Sequence, residues 1–157
     1  MTDTRDTGGA KVPTVDAGLV SAYEATNFEV LGAHPLVLHV KDGPDEVAAA
    51  AAWLASFGAG SAVIITAWNP FSQSCSSEWN AAANGSLLAA VKAAGLRWEP
   101  ARGVGLDGLW SEESYCVFDV PPDLVDAWLL EYRQNAVLLA RRGEAPVLLW
   151  HPDHRRA

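Results

Sequence analysis

Four short stretches of the 157-residue sequence carry polar side chains in arrangements that could do chemistry. The first is Asn69-Pro70-Phe71-Ser72, which follows the apolar run from Ser61 to Ala67. Loops beyond the ends of sheet strands gather backbone donors and short polar side chains, and ligand crevices form there. Asparagine before proline also starts turns by bonding local backbone, so turn chemistry accounts for the same residues. The second is Asn80 with Asn84, four residues apart and therefore on one helical face. A buried amide without a partner costs roughly 1–3 kcal/mol, so this pair must bond the Asn69 loop, Gln134 or a ligand. The third is Glu112-Glu113-Ser114. A glutamate entering the same cleft would serve as general base, metal ligand or acceptor for a ligand's hydroxyl or amine. Side chains alternate along a strand, which groups Glu112 with Trp110 and Cys116 and Glu113 with Tyr115, so only one of the two faces in. The fourth is Gln134-Asn135, readable as a helix C-cap with a solvent-facing glutamine or as two more amides for the cleft. The candidate ligand-binding set is thus Trp68, Asn69, Ser72, Asn80, Asn84, Ser114, Gln134 and Asn135, with Glu112 or Glu113 as the candidate catalytic carboxylate.

Other residues carry less. Cys75 with His34, His39 or His151 has no recognisable protease context. His151 and His154 lack a third ligand, so no metal site is expected. The glycines at 103, 105 and 108 come with neither a lysine nor a helix start, which removes a phosphate-cradling loop and any cofactor it would hold. Of the seven tryptophans, Trp53 and Trp128 sit on apolar stripes and read as core.

The elements that must position these residues follow from periodicity. Residues 1–16 are small and polar and read as a flexible leader. Leu19 to Tyr23 is a short helical turn or strand entry; Asn27 to Leu31 and Leu36 to Val40 read as strands. A helix opens at Pro44-Asp45-Glu46 and runs to about Phe57, with Val47, Ala50, Trp53, Leu54 and Phe57 as its buried stripe. Ser61 to Ala67 is β-branched and apolar throughout, as a strand covered on both faces requires. Ser76 or Ser77 caps a helix to about Ala94, whose stripe carries Asn80, Asn84, Leu88 and Val91. Leu96 to Val104 reads as an edge or interrupted strand because of Pro100, followed by a glycine-rich loop from Gly103 to Ser111 and a strand from Tyr115 to Val120. A third helix starts at Pro121-Pro122, and Ala136 to Ala140 pairs with Pro146 to Trp150 in a hairpin. Residues 152–157 read as a frayed tail. Consecutive strands without an intervening helix imply antiparallel pairing. The expectation is a single α+β domain over residues 17–151, with a mixed, mostly antiparallel sheet and three main helices packed on it.

Composition bounds the partners. A net charge of −8 repels nucleic-acid phosphates and anionic membranes alike. No apolar run approaches the roughly 20 residues of a spanning helix. Two cysteines are too few for a disulfide framework, and no signal segment opens the chain, so the cytoplasm is the expected compartment.

The motifs ITAWNPFSQ (65–73), EWNAAAN (78–84), WSEESYCV (110–117) and YRQNAVLL (132–139), in this order, resemble the bacterial family called domain of unknown function 3293. The resemblance covers about Tyr23 to Trp150 and matches Asn69, Pro70, Ser72, Asn80, Asn84, Glu112 or Glu113, Ser114, Gln134 and Asn135 to the family's shared motifs, while assigning none of them a role. Three functions fit the residues: a module that binds a small polar molecule through amides, a hydrolase or transferase with a glutamate as base and Asn69 or Asn84 as oxyanion donor, and a protein-interaction domain whose amides are structural.

Overall fold

The computed structural model describes residues 15–105, 108 and 110–155. Along the chain these form α1 (Ala17–Glu24), β1 (Thr26–Val30), β2 (Leu36–Leu38), α2 (Pro44–Ser56), β3 (Ser61–Ile65), α3 (Ser77–Ala93), β4 (Trp98–Gly105), β5 (Ser111–Phe118), α4 (Pro122–Glu131), β6 (Ala136–Arg141) and β7 (Val147–Trp150). The strands make one sheet in the order β2-β1-β4-β5-β3-β6-β7. Every pairing in it is antiparallel. The expected single α+β domain is what forms.

Helices cover both faces. On one, Trp53 and Leu54 of α2 pack with Phe28, Ile64, Cys116 and Phe118. On the other, Leu87 and Val91 of α3 and Trp128 and Leu129 of α4 pack with Val63, Ile65 and Val117. Strand β3 lies between β5 and β6, and its residues 62–65 are all buried, alternate ones serving opposite cores. That explains why its sequence is apolar without alternation.

The helix caps follow the sequence. Glu46 Oε1 accepts from Gly43 N at 2.9 Å, Ser76 Oγ accepts from Trp79 N at 3.0 Å, and Asp16 Oδ1 accepts from Leu19 N at 2.8 Å. Helix α1 has no fully buried residue, though Tyr23 is half-buried against the core.

Four expectations need correction. Strand β4 is interior, between β1 and β5, despite Pro100. The Pro100 carbonyl faces the β1 side, where it accepts from Leu31 N at 2.8 Å; its donorless nitrogen faces the same side, beyond the last β1 pair, Val30 with Ala101. Strand β5 begins at Ser111, so Glu112, Glu113 and Ser114 lie within it. The α3 stripe uses Leu87, fully buried, in place of Leu88. The tail is folded through Arg155: residues Pro152–Arg155 form a 3-10 turn, and Arg155 pairs with Asp126 at 2.5 Å. The leader up to residue 14, residues 156–157, and Leu106, Asp107 and Leu109 of the glycine-rich loop lie outside the described residues.

Candidate functional site

Past Ile65, strands β3 and β5 diverge, and side chains replace the backbone ladder. Asn84, 4% exposed, bridges the gap: its Oδ1 accepts from Ala67 N at 2.8 Å and its Nδ2 donates to the Glu113 carbonyl at 2.9 Å. A primary amide carries one acceptor and a donor pair, so it can stand in for a missing peptide pairing. Thr66 Oγ1 donates to the same Glu113 carbonyl at 2.7 Å and accepts from Trp68 N at 3.0 Å.

The next residues are held by Asn80, 2% exposed. Asn69 N donates to Asn80 Oδ1 at 2.9 Å, and Asn80 Nδ2 donates to Asn69 Oδ1 at 2.9 Å. Cys75 N also donates to Asn69 Oδ1, at 3.0 Å. With its oxygen held twice, the Asn69 amide has one orientation, and Nδ2 donates to Glu112 Oε2 at 3.1 Å. The loop that achieves this is strained: Asn69, Phe71 and Ser72 all have positive φ, at 43°, 50° and 63°. Left-handed backbone costs roughly 1–2 kcal/mol per non-glycine residue, and such residues cluster at binding sites.

These constraints frame a cleft of two adjoining lobes, about 170 and 60 Å³, which share Tyr23, Thr26, Trp110, Glu112 and Gln134. Helix α1 walls it with Leu19, Ala22 and Tyr23. The two glutamates separate as alternation requires: Glu112 points into the cleft, and Glu113 is exposed. Burial pushes the Glu112 carboxyl above its ordinary range, and the Asn69 hydrogen bond opposes only part of this. Burial and the Glu112 charge push the Tyr23 hydroxyl up, so it stays neutral. Among the described residues no cation neighbours Glu112, and nothing donates to its Oε1.

Two more amides line the cleft. Gln134 Nε2 donates to the carbonyls of Trp68 at 3.2 Å and Tyr132 at 3.0 Å, so Oε1 is the end left without a donor among the described residues. Asn135 Nδ2 donates to Ser72 Oγ at 3.1 Å, and His154 Nε2 lies 3.1 Å from Asn135 Oδ1. Burial lowers the His154 pKa, so its ring is neutral at pH 7, with Nε2–H as donor to that oxygen.

The candidates therefore divide. Asn69, Ser72, Glu112, Gln134 and Asn135 line the larger lobe, and Ser114 the smaller. Asn80 and Asn84 lie behind the cleft, their amides fully engaged with protein. Trp68 offers the site a carbonyl for Gln134, and its ring lines neither lobe. Tyr23 and Thr26 escaped the sequence reading, because α1 is too short to show a period and β1 opens at Thr26, one residue before the alternation that marks it. Trp110 was grouped with Glu112 by alternation alone. A wider hollow of about 390 Å³ lies along β7, but it is mostly apolar, and its Lys41 pairs with its Glu24 at 2.9 Å. Among the described residues no group of three or more His, Cys, Asp or Glu could hold a metal ion, and no helix is long and apolar enough to cross a membrane.

Residues 65–137 match the family described as protein of unknown function (DUF3293), and over that stretch the resemblance carried by the four motifs is borne out. The match takes in Asn69, Ser72, Glu112, Gln134 and Asn135 but not α1. No curated protein and no solved structure matches the chain.

Proposed function

We propose that this DUF3293-family chain is a small-molecule-binding domain of the cytoplasm, and that its cleft recognises a polar ligand through Glu112, Gln134 and Ser72, with the amides of Asn80 and Asn84 holding the loop behind them in place. One observation carries the reading: a largely buried carboxyl is held in the cleft by a neutral amide, and among the described residues nothing else donates to it. A desolvated acceptor without a partner is costly, and a ligand's N–H or O–H group is the partner that the cleft lacks. Enzymatic use of Glu112 as a general base is the second reading, favoured by its raised pKa. It fares less well, because the amide donors suggested for an oxyanion are taken: Asn69 Nδ2 by Glu112 and Asn84 Nδ2 by the Glu113 carbonyl.

A thermal-shift screen against amino acids, amines, sugars and nucleotides tests the proposal. A cleft ligand stabilises the native state by about 2.7 kcal/mol at a hundredfold excess over its Kd, and Glu112→Ala abolishes the shift. A shift of equal size in that variant moves the ligand out of the cleft. Turnover of a bound compound that Glu112→Gln stops while retaining binding establishes the enzymatic reading instead.

A further inference from the structure

We infer that the occupant of the cleft is a small organic cation, a protonated amine or amidine whose charge lies between the Glu112 carboxylate and the face of the Trp110 indole. This rests on the ligand-binding reading above and narrows it to one chemical class. Three features of the cleft support it.

The first is the balance of hydrogen-bonding groups. Among the described residues, the atoms of Glu112 and Gln134 that no group donates to are both acceptor oxygens, and no lysine, arginine or histidine lines either lobe. A site with surplus acceptors and no resident cation favours a ligand that brings N–H donors and positive charge. The net charge of −8 draws such ligands in and repels anions.

The second is the placement of Trp110. Gly105 N donates to the Trp110 carbonyl at 3.1 Å, which continues the β4–β5 pairing one residue past Ser111. Trp110 and Glu112, two apart, therefore project from one face, and both line both lobes. Trp110 is 44% exposed, unusual for so large an apolar residue, and tryptophan offers the best aromatic face for a cation.

The third is how the indole is seated. A Cβ on Gly105 would meet Trp110 Nε1 at 2.4 Å and two further indole atoms at 2.9 Å. Only glycine at 105 lets the ring lie against the β4 backbone, so the exposed indole occupies a shaped seat.

The experiment is an NMR titration of the full chain, reading the Trp110 indole N–H and the amides of Glu112 and Gln134. The probes are benzylammonium and benzamidine, set against the near-isosteric neutral benzyl alcohol and benzamide. The cations are expected to move these signals with affinities at least roughly tenfold above the neutral pair. Glu112→Gln is expected to erase that preference, and Gly105→Ala, which drives the ring from its seat, to weaken the cations severalfold with little change in melting temperature. Neutral probes binding as tightly as the cations, or a preference that survives Glu112→Gln, overturn the inference while the polar-ligand reading stands. Four probes that all leave the cleft signals unmoved overturn the inference, and the thermal-shift screen then decides the polar-ligand reading separately.

Discussion

Asn84 and Glu112 are both polar residues set among apolar neighbours, yet the structure gives them opposite duties. Asn84 is saturated: removing its amide leaves the Ala67 N–H and one bond of the Glu113 carbonyl unmet in a dry place. Asn84→Ala is expected to cost about 2–4 kcal/mol in urea unfolding; a loss below about 0.5 kcal/mol refutes the bridging role. Glu112 is unsaturated, and its raised pKa works against the fold at neutral pH. The folded protein keeps the Glu112 proton over a pH window in which the unfolded chain has lost it, so this group's contribution to stability falls as pH rises through that window. Tyr23, the other titratable group facing it, stays neutral throughout. Glu112→Gln, which can still accept from Asn69, should therefore melt higher than the parent at pH 7, with the gap closing as pH falls into the ordinary carboxylate range. Calorimetry across that range checks it, and a Gln variant less stable at pH 7 rules it out. The sequence revealed that one glutamate must face in, because alternation is a property of any strand. It could not distinguish Asn84 from Asn69, because bridging and lining amides are chemically alike and differ only in what lies beyond them.

At the scale of elements, the cleft joins the most and the least secured parts of the chain. Strand β3 is paired on both sides and buried on both faces, whereas α1 has no fully buried residue. Native-state hydrogen exchange should therefore find the β3 amides among the slowest and those of α1 exchanging by local opening, well below the global unfolding free energy. Protection in α1 equal to that of β3 contradicts this. The start of β5 was hidden because Glu112, Glu113 and Ser114 are poor strand formers taken singly, and their neighbours in β4 supply the pairing. Pro100 misled for a related reason: it excludes a hydrogen bond on one side of the strand, and β1 stops before that bond is needed. The folded tail was equally illegible, since the 3-10 turn depends on Asn135, far from it in the chain.

Across the whole molecule, the order of elements could be read almost completely, whereas their arrangement in the sheet could not. Alternating patterns tell where strands are, and short links tell that β4–β5 and β6–β7 are hairpins. Nothing local says that β3 enters between the two hairpins. That insertion bears on how the chain is made. Both partners of β3, at Ser111–Phe118 and Ala136–Arg141, are synthesised after it. At ribosomal speeds of about 5–20 residues per second, a strand that ends up buried on both faces waits for seconds with both edges open. The helix that follows it, α3, is complete by then and carries Asn80 and Asn84, the amides that later fasten the strand's exit. A nascent chain stalled before residue 111 should present an adhesive segment to chaperones, and one extended past Arg141 should have hidden it.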